Sequence, residues 1–261
     1  MKKAFQYLPL KSRKKKEEFI YKIRNVKSDD LDILNKLEVN NSSVFLANCS
    51  IWVEGVTDRK YIKAFLQLFY HSDEKPDIEF MEDINYAFFE YAGSNLKHYL
   101  FTNENKFDEI KAQFLSNRIF LIADKDVDKG EKHKYLSEQQ SENFCYKVLN
   151  VREIENILSP EILKKILKKF ENINENKLEK STIKMSDYKN KSLGKFINDK
   201  FAKVGKTFSA ESETLATYYK NRFADIVLNR EIEIKWKDLS TTAKNLIKEI
   251  YGFIKKHNQH L

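Results

Sequence analysis

Four short, β-rich apolar runs, separated by helical patterns, constrain this chain more than any other feature. They are residues 50–53, 86–91, 118–123 and 144–149, and between the first two an apolar stripe of Tyr61, Ile62, Phe65, Leu66 and Phe69 repeats at helical spacing. Strands alternating with helices predict βαβ units and a mostly parallel four-stranded sheet flanked by helices, hence an α/β fold class. Thr57 is the expected cap of the first helix, and the second run ends near Gly93. Beyond Ser159 and Pro160 the strand signals stop. Ser159 as N-cap and Pro160 at the first helical position open a helix carrying Ile162, Leu163, Ile166, Leu167 and Phe170. Residues 171–191 are polar and Asn/Lys-rich and read as a loop or poorly ordered excursion. Helices are expected around 193–204, 210–228 and 240–255, with a short strand as one reading of 232–236. The resulting organisation is a segment over 1–48, an α/β domain over 49–158 and a helical C-terminal region over 159–261.

The chain has 261 residues, 41% of them hydrophobic, which is enough to bury a core and too apolar for wholesale disorder. Only 6 Gly and 3 Pro argue against a loop-rich β architecture. The formal charge of +8 favours encounter with polyanions, although it does not by itself separate nucleic acid from anionic membrane or acidic protein. Cys49 and Cys145 are far apart in apolar runs, so a disulfide scaffold and a cysteine metal site are both disfavoured. No run reaches the length of a membrane span, and Met1-Lys2-Lys3 has no apolar stretch behind it, so a cytoplasmic location without membrane partners is expected. Before residue 49, Leu31, Leu34 and Leu37 lie on one helical face, and the basic run 11–16 reads as solvated.

Chemistry concentrates where the strands end. In parallel α/β sheets, functional groups collect at the carboxyl ends of strands. The first run ends on Glu54 and the third on Asp124. Asp58 follows four residues after Glu54 in the first helical turn, and Asp126 points the same way as Asp124 in an extended loop. Glu153 and Glu155 follow the fourth run. Converging carboxylates repel one another unless a cation holds them ionised, and an all-oxygen set suits Mg²⁺ or Mn²⁺ rather than zinc. One or two such ions serve phosphodiester cleavage. The run from Asp124 to Gly130 has some likeness to a calcium loop, but its twelfth position is Tyr135 rather than glutamate. Each element alone is unspecific, and the order carries the weight: an acid after the first run, glycine after the second, Asp-x-Asp after the third and glutamate after the fourth.

The residues Trp52-Val53-Glu54-Gly55-Val56-Thr57-Asp58, then Tyr91-Ala92-Gly93, then Ile122-Ala123-Asp124-Lys125-Asp126, resemble the Toprim domain shared by topoisomerases, primases and some nucleases. The nearest variant is that of the overcoming-lysogenization-defect (OLD) nucleases, in which Toprim follows an ABC-type ATPase and several members act in anti-phage defence. The stretch 40–46 resembles the passage from such an ATPase into Toprim, and Arg152-Glu153-Ile154-Glu155-Asn156 resembles the family's acidic motif after the sheet. The resemblance spans residues 40–158 and weakens into the C-terminal helices. It implies that Glu54, Asp58, Asp124 and Asp126 bind metal, with Glu155 and Glu153 completing a second position. It further implies a charge-stabilising lysine, best matched by Lys220, with Arg222 as neighbour.

The chain departs from the family in having no Gly-x-x-x-x-Gly-Lys-Ser/Thr loop. The expectation is therefore a Mg²⁺- or Mn²⁺-dependent endonuclease subunit acting on DNA or RNA, paired with a separate ABC-type ATPase or divided from a longer protein, with residues before 40 as a docking element. Oligomerisation is left open. The alternatives are a non-catalytic interaction or sensing subunit of an ATPase complex and, with less support, a primase or topoisomerase-like activity. Among aromatic residues, Tyr218 and Tyr219 are the candidates for substrate contact, and among histidines only His133 lies near the aspartate run.

Overall fold

The computed structural model describes residues 47–91, 118–125 and 130–259, with side chains from 134 onward in the last span. It also describes the backbone of the short strands β1 (Arg13–Lys15), β2 (Glu18–Ile20), β5 (Tyr99–Leu100) and β6 (Ile110–Lys111). The chain divides into two compact units, Met1–Ser42 and Ser43–Leu261. In the first, β1 and β2 pair antiparallel. Leu31, Leu34, Leu37 and Gly93 lie outside the described residues.

The second unit is built on β3 (Ser50–Val53), β4 (Ala87–Glu90), β7 (Ile119–Ala123) and β8 (Phe144–Val148), all parallel, in the order β4-β3-β7-β8. The expected α/β class is what the chain adopts, with a wholly parallel sheet. Parallel sheets are covered on both faces, and the central strands β3 and β7 read as near-continuous buried runs for that reason, whereas the edge strand β8 carries the partly exposed Lys147. Ile51, Val53, Phe88, Phe120 and Ile122 join the main core, while Trp52, Phe89 and Leu121 are buried on the opposite face, where the Trp52 and Phe89 rings stack at 4.0 Å. Helix α1 (Val56–Tyr70) links β3 to β4, and α2 (Gly130–Glu138) links β7 to β8. β5 and β6 form a separate two-residue parallel pair.

Helix α1 buries Tyr61, Ile62, Phe65, Leu66 and Phe69, the stripe read from the sequence. Truncating such a buried ring to alanine costs about 3–5 kcal/mol. Its amino end corrects one expectation. Thr57 caps nothing, the N-cap is Gly55, and Asp58 reaches back to accept a hydrogen bond from the Gly55 N–H at 2.9 Å.

The C-terminal helices are α3 (Pro160–Leu167), α4 (Glu175–Lys180), α5 (Leu193–Lys200), α6 (Thr217–Leu228) and α7 (Thr241–His257). Ser159 caps α3 by accepting from Ile162 N, with Pro160 at the first position, as expected. One continuous core runs through β3, α1 and these helices: Phe69 meets Trp236 at 4.7 Å and Tyr251 at 5.6 Å, and Phe120 meets Phe253 at 5.5 Å.

Two sequence expectations fail in this region. Residues 171–191 are not a loose excursion: they contain α4 and a 3-10 turn over Met185–Asp187, and Ile173, Leu178, Ile183 and Tyr188 are all buried. Residues 232–236 form no strand. The alternation of Ile232, Ile234 and Trp236 reflects packing against the core, with no strand alongside to supply a ladder.

Candidate metal centre

Strand order decides where this sheet offers a crevice. The chain leaves β3 for β4 on one side and reaches β7 and β8 on the other, so the order reverses between β3 and β7. Ligands of open α/β sheets bind at such switch points, outside the carboxyl ends of the strands. Glu54 directly follows β3 and Asp124 directly follows β7, so this crevice receives both carboxylates.

Asp58, one turn into α1, is 6% exposed, and its pKa is driven up by burial first and then by the charges of Glu155 and Glu54. Asp124 is raised well above the ordinary carboxylate range, by burial and then by Asp58, Glu54, Glu155 and Glu153. The five carboxylates therefore act on one another electrostatically. Tyr91, just beyond β4, donates from its hydroxyl to the Ile122 carbonyl at 2.8 Å and so ties the end of β4 to the strand that carries Asp124.

Glu153 and Glu155 stand on the turn after β8, in and beside a 3-10 helix over Ile154–Ile157. Asn156, fully buried, holds this turn. Its side-chain oxygen accepts from Glu153 N at 3.2 Å, and its amide donates to the carbonyls of Tyr188 at 2.7 Å and Lys191 at 3.0 Å. Arg152 N adds a bond to the Lys189 carbonyl, and the Tyr188 hydroxyl donates to the Leu158 carbonyl. The segment that reads as a polar loop thus props up the acidic turn. Asn156 is the positioning residue that the sequence reading missed, and its only signal was its place inside the acidic motif.

Glu155 is 1% exposed, and neither carboxylate oxygen has a hydrogen-bond partner among the described residues. Burial raises its pKa, the charge of Lys220 opposes that rise, and Glu153 adds to it. Lys220 arrives from α6, which packs on α1 and is pinned there by the Lys60–Asp225 ion pair at 2.7 Å. Its Nζ lies 3.1 Å from Glu153 Oε2, an ion pair without hydrogen-bond alignment. Burial works to lower the lysine's pKa, but Glu155 and Glu153 outweigh it and hold the value at about 12. The ammonium is therefore charged and faces Glu153, Glu155 and Asp124.

Of the predicted residues, Glu54, Asp58, Asp124, Glu153, Glu155 and Lys220 come together. Asp126 lies outside the described residues, as does the side chain of His133. Arg222 instead forms an exposed ion pair with Glu231. Tyr219 is packed against Phe208 at 4.3 Å and accepts from Asn172, whereas Tyr218 is exposed. Cys49 and Cys145 are free thiols, the first buried and pushed up to about 12 by its burial.

Buried carboxylates that raise one another's pKa, one of them with no hydrogen-bond partner among the described residues, have the hard-oxygen chemistry of divalent-cation ligands. No group of three His, Cys, Asp or Glu side chains among the described residues is drawn together in ready ligating geometry. The carboxylates are gathered at one rim without being clenched. No protein-family model, curated protein or solved structure matches this chain.

Proposed function

We propose that this protein is a Mg²⁺- or Mn²⁺-dependent nuclease subunit of the Toprim class, cleaving phosphodiester bonds in DNA or RNA under the control of a separate ABC-type ATPase in anti-phage defence. The reading is carried by Glu155: a buried carboxylate whose oxygens have no hydrogen-bond partner among the described residues, close enough to Asp58, Asp124 and Glu54 to act on their charge at the carboxyl end of a parallel sheet. An isolated buried carboxylate of this kind costs stability, and such costs persist where function requires them.

Glu54, Asp58, Asp124 and Glu155 would hold the cation, with Glu153 and Asp126 as candidates for a second position. Bound there, it would make water a competent nucleophile at neutral pH and offset charge on the leaving oxygen. The chain's own groups do the rest. Asp58, anchored on the Gly55 N–H, keeps its carboxylate fixed at the start of α1. Asn156 fixes the turn that aims Glu155. Lys220, held charged by Glu153 and Glu155, offers N–H donors to a non-bridging phosphate oxygen, where developing negative charge is best stabilised by a preorganised cation.

The test is Mn²⁺ binding by calorimetry, together with cleavage of plasmid DNA and of tRNA in the presence of the partner ATPase, for wild type and Glu155→Gln. The variant is expected to bind Mn²⁺ at least about tenfold more weakly and to lose cleavage. Equal Mn²⁺ affinity and equal cleavage in the two proteins would sink the proposal. A complex with the ATPase that forms normally while neither protein binds Mn²⁺ would instead point to a non-catalytic interaction subunit.

A further inference from the structure

The charge of this chain is unevenly placed. Between residues 160 and 206 there are thirteen lysines against six aspartates and glutamates, a surplus of seven, while the whole chain carries +8. The rest of the protein is therefore close to neutral, and the basic character belongs to one stretch of the helical region.

That stretch is folded around a cleft of about 490 Å³ lined by Asn174, Asn176, Lys177, Lys180, Ser181 and Lys200 over a floor that includes Phe201. The cleft lies between α4 and the end of α5, and both walls are fixed. Asn174 N donates to the Phe201 carbonyl at 2.8 Å, Ile173 bridges Ala202, and Leu178 and Phe201 are buried beneath. Lys164 Nζ reaches the Ser181 carbonyl and Lys168 pairs with Glu179 at 3.0 Å, which ties α4 to α3. The lining residues include three lysines, two asparagines and a serine, and no aspartate or glutamate. Lys200 also sits 5.1 Å from the Phe196 ring, which restrains its stem.

Fixed walls, three lysines and the amides of Asn174 and Asn176 suit the oxygens of successive phosphates, which such contacts position without reading sequence. The same segment connects to the acidic rim, because the Asn172 amide donates to the Tyr219 hydroxyl, and the next residue of α6 is Lys220. We infer that the cleft formed by Lys177, Lys180 and Lys200 is a second, phosphate-binding site that holds the nucleic-acid backbone away from the point of cleavage. The inference rests on the reading of this chain as a protein that acts on nucleic acid.

The test is fluorescence anisotropy of labelled duplex and single-stranded oligonucleotides of mixed sequence, titrated with the full chain in EDTA between 50 and 200 mM salt. Wild type is compared with K177Q/K180Q/K200Q and with a charge-matched control, K75Q/K237Q/K255Q. Each phosphate contact contributes about 0.7–0.9 to the slope of log K against log salt, so the cleft variant should lose roughly 2–3 in slope and about tenfold or more in affinity at low salt. The control should stay near wild type. Equal losses in both variants would assign the effect to net charge and overturn the cleft, as would an unchanged slope in the cleft variant. Capture by phosphatidylserine vesicles that depends on the same lysines, without oligonucleotide binding, would overturn it in favour of a membrane surface. Cleavage by the same proteins, measured without EDTA, with Mn²⁺ and with the partner ATPase present, separates the two proposals. Lysine-dependent binding without cleavage supports the cleft and defeats the nuclease reading. Cleavage with an unchanged slope does the reverse.

Discussion

The two ends of the sheet are built on opposite terms. At the amino end, Asn258 at the close of α7 has its side-chain capacity filled: its oxygen accepts from Asn48 at 2.7 Å and Asn85 at 3.0 Å, and its amide donates to the carbonyls of Asn85 and Ile254. Arg118, entering β7, adds bonds to the carbonyls of Asn48 and His257. At the carboxyl end, five carboxylates share the charge of Lys220, and the Glu155 oxygens have no hydrogen-bond partner among the described residues. Polar burial stabilises when every donor and acceptor is matched, and costs stability when it is not. The amino end secures the fold, and the carboxyl end draws on that stability to keep a charged site ready.

The largest effect expected from breaking this contrast is on chemistry. Asp124→Asn should reduce cleavage by roughly a thousandfold, about 4 kcal/mol in the barrier, yet raise the metal-free melting temperature by relieving repulsion at the rim. Cleavage assays and calorimetry on the same preparations check both signs, and a variant that is less stable as well as inactive would dissolve the contrast. Asn258→Ala should do the opposite. It strands Asn48 and Asn85, should cost about 2–3 kcal/mol in urea unfolding, and should leave Mn²⁺ affinity unchanged.

A third effect follows from pH. The raised carboxylates keep protons in the folded chain that the unfolded chain releases near pH 4. Their contribution to stability is present below about pH 4 and is lost as pH rises through the folded value, which for Asp58 is about 8. Without divalent cation, Tm should fall on the order of 5 °C between pH 5 and 8. Mn²⁺ should restore it, and Asp58→Asn should flatten the slope. Smallest is Tyr91→Phe, which removes the bond to the Ile122 carbonyl and should cost about 1 kcal/mol, read as a shift in Tm.

Legibility follows the same physics. The four strands were readable to within a residue or two because runs buried on both faces leave an uninterrupted apolar signal. Ser159 and Pro160 were readable because capping is local. Residues 171–191 were not, since Ile173, Leu178, Ile183 and Tyr188 recur every five residues, which matches neither the helical nor the strand period. Thr57 misled because a hydroxyl near a helix start is only one way to satisfy its N–H groups, and Asp58 one residue on did so instead.

What the sequence determined by itself was the α/β alternation and the acids that follow the first, third and fourth strands, because both are properties of neighbours along the chain. That Lys220 ends 3.1 Å from Glu153, that Asn156 holds the acidic turn through residues 188–191, and that Glu155 is buried without a hydrogen-bond partner among the described residues are outcomes of packing between segments tens of residues apart. No local pattern encodes them. They arise because α6 docks on α1 and the polar-looking segment folds under the turn, and only that docking turns a row of separate carboxylates into one charged rim.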